Sequence, residues 1–403
     1  MSSFVEISGG VTAPKSFLAG SVYAGVKPTN SSRPDIAFVF STIPSVGAGT
    51  FTTNKVKAAP VRVSQAHIRY SETRAIVANS GNANACTGVV GIEHAKRMAC
   101  TTAKALGIKE RSVLVCSTGR IGVPLPIEKM EAAIANCPSV IDSNGSLRAA
   151  EAIMTSDTVP KQAAVEFELN GKTVRIGGIA KGAGMIDPNM ATMLAFITTD
   201  AVIDKKLLQQ ALSEGVEQSF NRITVDGDMS TNDTVLMLAN GAARNTPLKT
   251  GSAAFERFQE ALNHVLFSLA RQIVEDGEGV TKFVTVQVRN ARSRQDARKA
   301  AEAVANSVLA KCAWYGGDPN WGRIMDAIGY SPAKIREEMV DIYYDGLIAV
   351  QNGVAANTPF EKLQEVVANK RFTITIDLHL GEAEYTVYTT DLTTRYVELN
   401  MGE

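Results

Sequence analysis

Gly177–Asp200 reads GGIAKGAGMIDPNMATMLAFITTD. Gly177, Gly178, Gly182 and Gly184 give its first part backbone freedom, and Lys181 carries the only charge among them. The chain then passes through Asp187-Pro188-Asn189 to Met190-Ala191-Thr192. From Met193 it becomes an apolar run of the kind that forms a buried strand. A flexible, cationic loop thus delivers the Thr192 hydroxyl to the edge of a core element. That place suits a nucleophile, and it equally suits a plain turn.

On the N-terminal side of this stretch, Val165–Leu169 and Thr173–Ile176 flank Asn170-Gly171, a strong hairpin signal. Further back, Ala37–Ser41, Ala75–Asn79 and Ser112–Cys116 read as buried strands. Helices are expected at about Ile92–Leu106, stopped by Gly107, and at Ile127–Asn136. On the C-terminal side, Lys205–Gln218 is amphipathic and Thr234–Asn240 is a buried strand. Ala253–Glu275 carries Phe255, Phe258, Leu262, Val265, Leu266, Leu269 and Ile273 at helical spacing. Phe283–Val288 alternates as a strand, and Arg294–Cys312 reads as one Ala-rich helix. Past about residue 330 the texture changes. Ile342–Tyr344 and Leu347–Val350 bracket a turn at Asp345-Gly346, Phe360–Asn369 is a short helix, and Phe372–Leu378 and Glu384–Thr389 are expected to form a hairpin around Gly381. The fold class is mixed α/β with several sheets, and a smaller C-terminal module spans about 283–403.

Bulk properties narrow the function classes. The 403 residues contain 41 Lys+Arg and 41 Asp+Glu, so no global field holds nucleic acid or an anionic membrane. No apolar run approaches the ~18–20 residues of a membrane helix, and the N-terminus lacks the basic and apolar regions of a signal peptide. A cytoplasmic protein is the expectation. Five cysteines, odd in number and without CxxC spacing, fit a reducing compartment rather than a disulfide framework or zinc site. No metal is expected. The four histidines are scattered, so a base, if this is an enzyme, comes from elsewhere.

Three stretches hold more small and polar residues than a loop requires. NSGNANACTG (Asn79–Gly88) suits left-handed turns and close backbone approach to a ligand, or a tight structural turn. STGRIG (Ser117–Gly122) follows a strand and can aim a hydroxyl and an amide at one point, as an oxyanion hole requires. TVDGDMSTNDT (Thr224–Thr234) imitates a calcium loop, but counted from Asp226 the sixth position is Thr231 rather than Gly and the twelfth is Met237 rather than Glu; a polar turn supporting a site is the alternative. Gly182-Ala183-Gly184 imitates a dinucleotide loop, but Asp187 occupies the third glycine position and Pro188 interrupts the helix that should follow. Glu278, in DGEGVTK, is either a solvated loop acid or a carboxylate that binds a substrate ammonium.

These motifs together, in this order, with KGAGMIDPNMATML and GDPNWGR (Gly317–Arg323), resemble the ornithine acetyltransferase family, also called the bifunctional arginine-biosynthesis glutamate N-acetyltransferases of the ArgJ type. The resemblance covers essentially the whole chain to Asn400. It implies a layered α/β sandwich similar to the self-processing amidases and aminopeptidases typified by DmpA. It implies self-cleavage between Ala191 and Thr192, giving an α chain of residues 1–191 and a β chain of residues 192–403 that stay together and pair as a heterotetramer. The implied reaction moves acetyl from N2-acetylornithine to glutamate through acetyl-Thr192, with ping-pong kinetics. No cofactor is implied, acetyl-CoA entering only as an alternative acetyl donor. A self-processing amidase or aminopeptidase using the same Thr192 is the alternative reading.

Carried over residue by residue, the resemblance makes Thr192 the nucleophile and Thr118 with Gly119 the oxyanion pair. Thr155, Lys181, Thr192, Glu278 and Asn400 become substrate contacts, with Lys181 on the α-carboxylate and Glu278 on an amino group. The free α-amine of a cleaved Thr192, with an ordinary pKa of about 7.7–8.0, would serve as base. The sequence departs from the family at Arg120, usually aliphatic. It also departs after Asn400, where Met401-Gly402-Glu403 replaces a longer tail ending in a Ser or Thr that touches substrate. That last contact is expected to be missing or supplied otherwise.

Overall fold

The computed structural model describes residues 4–27, 33–187 and 193–401. The chain divides into two compact units. The first comprises 1–182, 189–221 and 229–273; the second comprises 183–188, 222–228 and 274–403.

In the first unit two sheets share a core. One runs, edge to edge, Val5–Glu6, Lys161–Leu169, Lys172–Lys181, Leu194–Thr199, Thr234–Ala239 and Val46–Phe51. The other runs Val113–Arg120, Ala75–Asn82, Ile36–Ser41, Phe17–Val22 and Ile141–Asp142. Phe17, Val39, Ile76 and Leu114 of one sheet pack with Ile179, Leu194, Phe196 and Leu236 of the other, together with the helix Ser146–Ile153. The second sheet's outer face carries Phe38, Val77 and Val115 against the helices Gly88–Leu106 and Ile127–Ile134. Against the first sheet, Leu269 of the helix Ala253–Glu275 lies over Gly178, where a Cβ would come within 2.9 Å of it. This is a layered α/β sandwich. Every residue of Leu194–Thr199 is buried, which explains its unbroken apolar reading: a central strand covered on both faces shows no alternation.

Local signals account for several boundaries. Asn170 and Gly171 adopt φ of 52° and 75°, the two positive values a tight hairpin turn demands. Gly107 closes its helix at φ 64°. The Asp204 side chain caps Lys205–Gln218 by accepting from Lys206 N–H and Leu207 N–H. The helix Ala253–Glu275 has the expected bounds, and its seven expected apolar residues are all buried.

The second unit holds a sheet ordered Val354–Ala355, Leu347–Gln351, Asp341–Tyr344, Arg371–Asp377, Phe283–Ala291 and Ala383–Thr390. Val284, Val286, Val288, Phe372, Ile374 and Ile376 face a core that Ala297, Ala301, Ile324 and Val367 of its helices complete. Two expectations are corrected here. Phe372–Leu378 and Glu384–Thr389 do not pair with each other. The strand Phe283–Ala291 lies between them, parallel to the first and antiparallel to the second. Leu380 and Gly381 N–H both donate to Asn290 C=O, carrying the connection across the end of that strand. Arg294–Cys312 is two helices, Arg294–Ala305 and Val308–Tyr315. Ser307 breaks the run because its side chain accepts from Ala310 N–H and starts the second helix.

Candidate active site

Thr118 and Gly119 end the strand Val113–Arg120, which pairs in parallel with Ala75–Asn82. The Thr118 side chain is buried, whereas Gly119 and Arg120 are exposed. Gly119 has φ +133°, and a Cβ there would lie 2.3 Å from the Gly81 carbonyl carbon and 2.4 Å from Asn82 N. Only glycine fits, so the two backbones touch where the proposed oxyanion donors begin.

Lys181 ends the strand Lys172–Lys181, directly opposite Leu194 in the antiparallel register. Its buried ammonium donates to Thr155 Oγ1 at 2.8 Å and stands 3.4 Å from Thr118 Oγ1. Three of the expected residues therefore meet at one lysine. Thr192 and Ala191 lie outside the described residues. The strand that Thr192 leads into is held at its start: Met193 N–H donates to Asp233 Oδ1 at 2.9 Å, and Thr234 N–H donates to Met193 C=O at 3.1 Å.

Behind this cluster sits Asp157, which no motif in the sequence singles out. Its carboxylate accepts Thr155 N–H at 3.0 Å, Gly182 N–H at 2.7 Å and Lys161 Nζ at 2.7 Å, and lies 3.8 Å from Lys181 Nζ. The side chains of Asp157 and Lys161 are wholly buried. Burial works to raise the Asp157 pKa, but Lys181, Lys161 and the Gly182 N–H outweigh it and hold it down at about 2. One buried anion thus orients both Thr155 and Lys181 and offsets part of their positive surroundings. The signal that points to it is indirect: two lysines in apolar strands need a counter-charge.

The last part of the third polar stretch meets the other two in this unit. Asn232 Nδ2 donates to Ala83 C=O at 2.7 Å and to Ser117 C=O at 2.8 Å. The Ser117 hydroxyl donates to Asn79 Oδ1 at 2.6 Å. Asn82 Nδ2 donates to Val123 C=O, and Asn84 Nδ2 to Gly91 C=O. The asparagines of NSGNANACTG are therefore spent on backbone carbonyls, which favours their structural reading.

Glu278 and Asn400 belong to the second unit. Glu278 follows the helix Ala253–Glu275; its N–H donates to Ala183 C=O at 2.9 Å, and Asn400 Nδ2 donates to its Oε2 at 2.9 Å. A Cβ on Gly184 would lie 2.5 Å from the Glu278 carboxyl carbon, so that glycine makes room for the acid. Glu278 is half-buried and Asn400 exposed, leaving a carboxylate with an amide already beside it. Among the described residues no cluster of His, Cys, Asp and Glu could hold a metal ion, and no helix is long and apolar enough to cross a membrane.

Residues 18–402 match the ArgJ family. The arginine biosynthesis bifunctional protein ArgJ of Symbiobacterium thermophilum is 48% identical over 394 residues, covering 98% of each chain. The glutamate N-acetyltransferase of Methanocaldococcus jannaschii is 47% identical over 406 residues, again 98% of each. A crystal structure of the arginine biosynthesis bifunctional protein of Bacillus halodurans is 39% identical with a TM-score of 0.50, covering 52% of this chain and 98% of that one.

Proposed function

We propose a function from one premise: this chain belongs to the ArgJ family. It is an acetyltransferase of arginine biosynthesis. It moves acetyl from N2-acetylornithine to glutamate, as a glutamate N-acetyltransferase, after cutting itself between Ala191 and Thr192.

In the cut, the Thr192 oxygen bonds to the Ala191 carbonyl carbon, the C–N bond breaks, and the hydroxyl proton ends on the nitrogen. Water then hydrolyses the ester, leaving a carboxylate on Ala191 and a free hydroxyl and amine on Thr192.

In transfer, the Thr192 amine takes the hydroxyl proton while the oxygen attacks the acetyl carbonyl. Thr118 and Gly119 receive the developing oxyanion. Ornithine leaves with the proton on its amine. Glutamate's amine then attacks the acetyl ester and restores the hydroxyl. Lys181 takes the substrate α-carboxylate, Thr155 lines the same place, and Glu278 with Asn400 meets an amino group. Acetyl-CoA, where it serves, is a substrate delivering the same acetyl group, and no bound cofactor takes part. The cut pieces stay together as a heterotetramer of two α and two β chains in the cytoplasm.

The observation that carries this reading is the meeting of Thr118, Thr155 and Lys181 at the end of the strand that pairs with Leu194–Thr199. Intact-mass analysis followed by incubation with N-acetylornithine, with and without glutamate, tests it. Two fragments and glutamate-dependent release of ornithine are expected, both lost in Thr192→Ala. Equal release without glutamate would instead make the protein an amidase, and an uncut, inactive wild type would refute both.

A further inference from the structure

Lys27 belongs to none of the motifs that resemble the family, yet the first unit places it at the Gly119 end of its second sheet. The strand Ile36–Ser41 pairs with Ala75–Asn82 in the antiparallel register that sets Ile36 opposite Asn79, and Ser80 N–H donates to Asp35 C=O at 2.9 Å. The next residue, Gly81, has its carbonyl against Gly119. On its other side stands Lys27, whose N, Cα and Cγ would each lie 3.0 Å from a Cβ on Gly81. The buried Asp35 carboxylate ties this segment down by accepting N–H from Ala24 at 2.7 Å, Val26 at 2.6 Å and Lys27 at 3.3 Å. With that acid taken up by backbone, Lys27 Nζ donates to a neutral group, the Pro34 carbonyl, at 3.0 Å. Among the described residues this half-buried ammonium forms no ion pair. Burial is the largest influence on it and lowers its pKa; Asp35 and Asp157 pull it up, and Arg33 and Lys181 push it down. Lys27 therefore shares the field of Asp157 and Lys181, the two charges at which Thr155 and Thr118 meet.

Two acids here, Asp35 and Asp157, stand against four cations, Lys27, Arg33, Lys161 and Lys181. A cation held partly out of water without a paired acid is destabilising, and an anionic ligand removes that penalty through a charge-assisted hydrogen bond. The two substrates of the proposed reaction differ on this point. Both present an α-carboxylate, which falls to Lys181. Glutamate alone carries a second carboxylate, on its side chain, where N-acetylornithine carries an ammonium. We propose that Lys27 is the acceptor-specificity residue of this enzyme: its ammonium binds the side-chain carboxylate of glutamate while Lys181 holds the α-carboxylate. The inference rests on the transfer reading above. N-acetylornithine gains nothing from Lys27, so the residue acts only in the second half of the reaction, where the amine of glutamate attacks the acetyl ester.

Steady-state kinetics of the full-length protein, with both substrates varied, tests the idea. In a ping-pong scheme kcat/KM for each substrate reports its own half-reaction, so the two halves are read separately. Lys27→Met is expected to lower kcat/KM for glutamate by about 10–100-fold, the usual loss when one hydrogen bond to a charged group is removed. It should leave kcat/KM for N-acetylornithine unchanged, and saturating glutamate should restore the wild-type kcat. Lys27→Arg keeps the charge and should recover most of the glutamate value. Thermal melting checks each variant, and Lys27→Gln serves if Lys27→Met does not fold. An equal fall for both substrates marks a structural role at the Gly81 contact and overturns the inference alone. So does a folded variant with the wild-type kcat/KM for glutamate. A wild-type protein that releases ornithine equally with and without glutamate overturns the transfer reading and the inference with it.

Discussion

Two carboxylates in this molecule are buried in opposite ways. Asp157, in the first unit, is wholly buried with Lys161 in direct contact, Lys181 close by, and two backbone N–H groups on its oxygens. Asp187, in the second unit, is only half-buried, yet its charged neighbours are acids: Glu302, Asp226 and Asp228. Burial, the largest influence on it, pushes its pKa up to about 7 against the hydrogen bond from the Asn306 amide at 3.2 Å, and the three acids add smaller pushes upward. Depth of burial therefore does not decide ionisation. Whether cations stand close enough to outweigh it does. Asp157 stays an anion and can anchor Thr155 and Lys181, while Asp187 changes charge near neutral pH.

The largest expected effect comes from Asp157→Asn. It leaves Lys161 and Lys181 buried without their anion, and breaking a buried pair costs about 3–5 kcal/mol. The urea midpoint should fall accordingly; an unshifted midpoint would break the comparison. The pH dependence has a matching sign. A depressed carboxylate contributes stability that is present above its unfolded pKa of about 3.9 and is lost as pH falls toward about 2. Asp157→Asn should flatten the stability profile in that window.

Next in size is compensation. Adding Lys161→Met to Asp157→Asn removes one uncompensated cation and should recover about 0.5–3 kcal/mol, the usual coupling between groups in contact. Strict additivity of the two substitutions would show that the pair acts separately. The smallest effect is at Asp187. A carboxylate raised in the folded state favours folding most below its unfolded pKa, and this contribution is lost as pH rises toward about 7. Wild-type melting temperature should drop by a few degrees between pH 5 and pH 8, and Asp187→Asn should remove that slope. An identical slope in the variant would take Asp187 out of the comparison.

Much of this arrangement was legible in the sequence where the signal is local. The Asn170-Gly171 turn, the Ala253–Glu275 helix and the all-buried strand after Met193 depend on nearest neighbours and on a single periodicity. The false hairpin at Gly381 failed because its two strands flank a third that comes from about ninety residues earlier in the chain, and no pattern within the hairpin records that. Ser307 was overlooked because an N-cap inside an Ala-rich run leaves the helical period almost undisturbed. Thr118, Thr155 and Lys181 were named from the family motifs, and they do meet. Asp157 was not, since an acid between Ser156 and Thr158 looks like any turn until the lysines around it are seen to be buried.

The sheet that contains Leu194–Thr199 has a further consequence. Its order places Leu194–Thr199 and Thr234–Ala239 between Lys172–Lys181 on one side and Val46–Phe51 on the other. A cut ahead of Thr192 would therefore leave the C-terminal fragment's two strands threaded between strands of the N-terminal fragment. Neither piece could depart without unzipping two six-pair ladders at once. The severed protein would remain one cooperative object, with a chain break that is silent to its architecture. Such a break is a one-way seal: fragments parted by denaturant must rebuild the sheet in two halves, at a rate that falls on dilution, whereas the uncut chain refolds as a single molecule at any concentration.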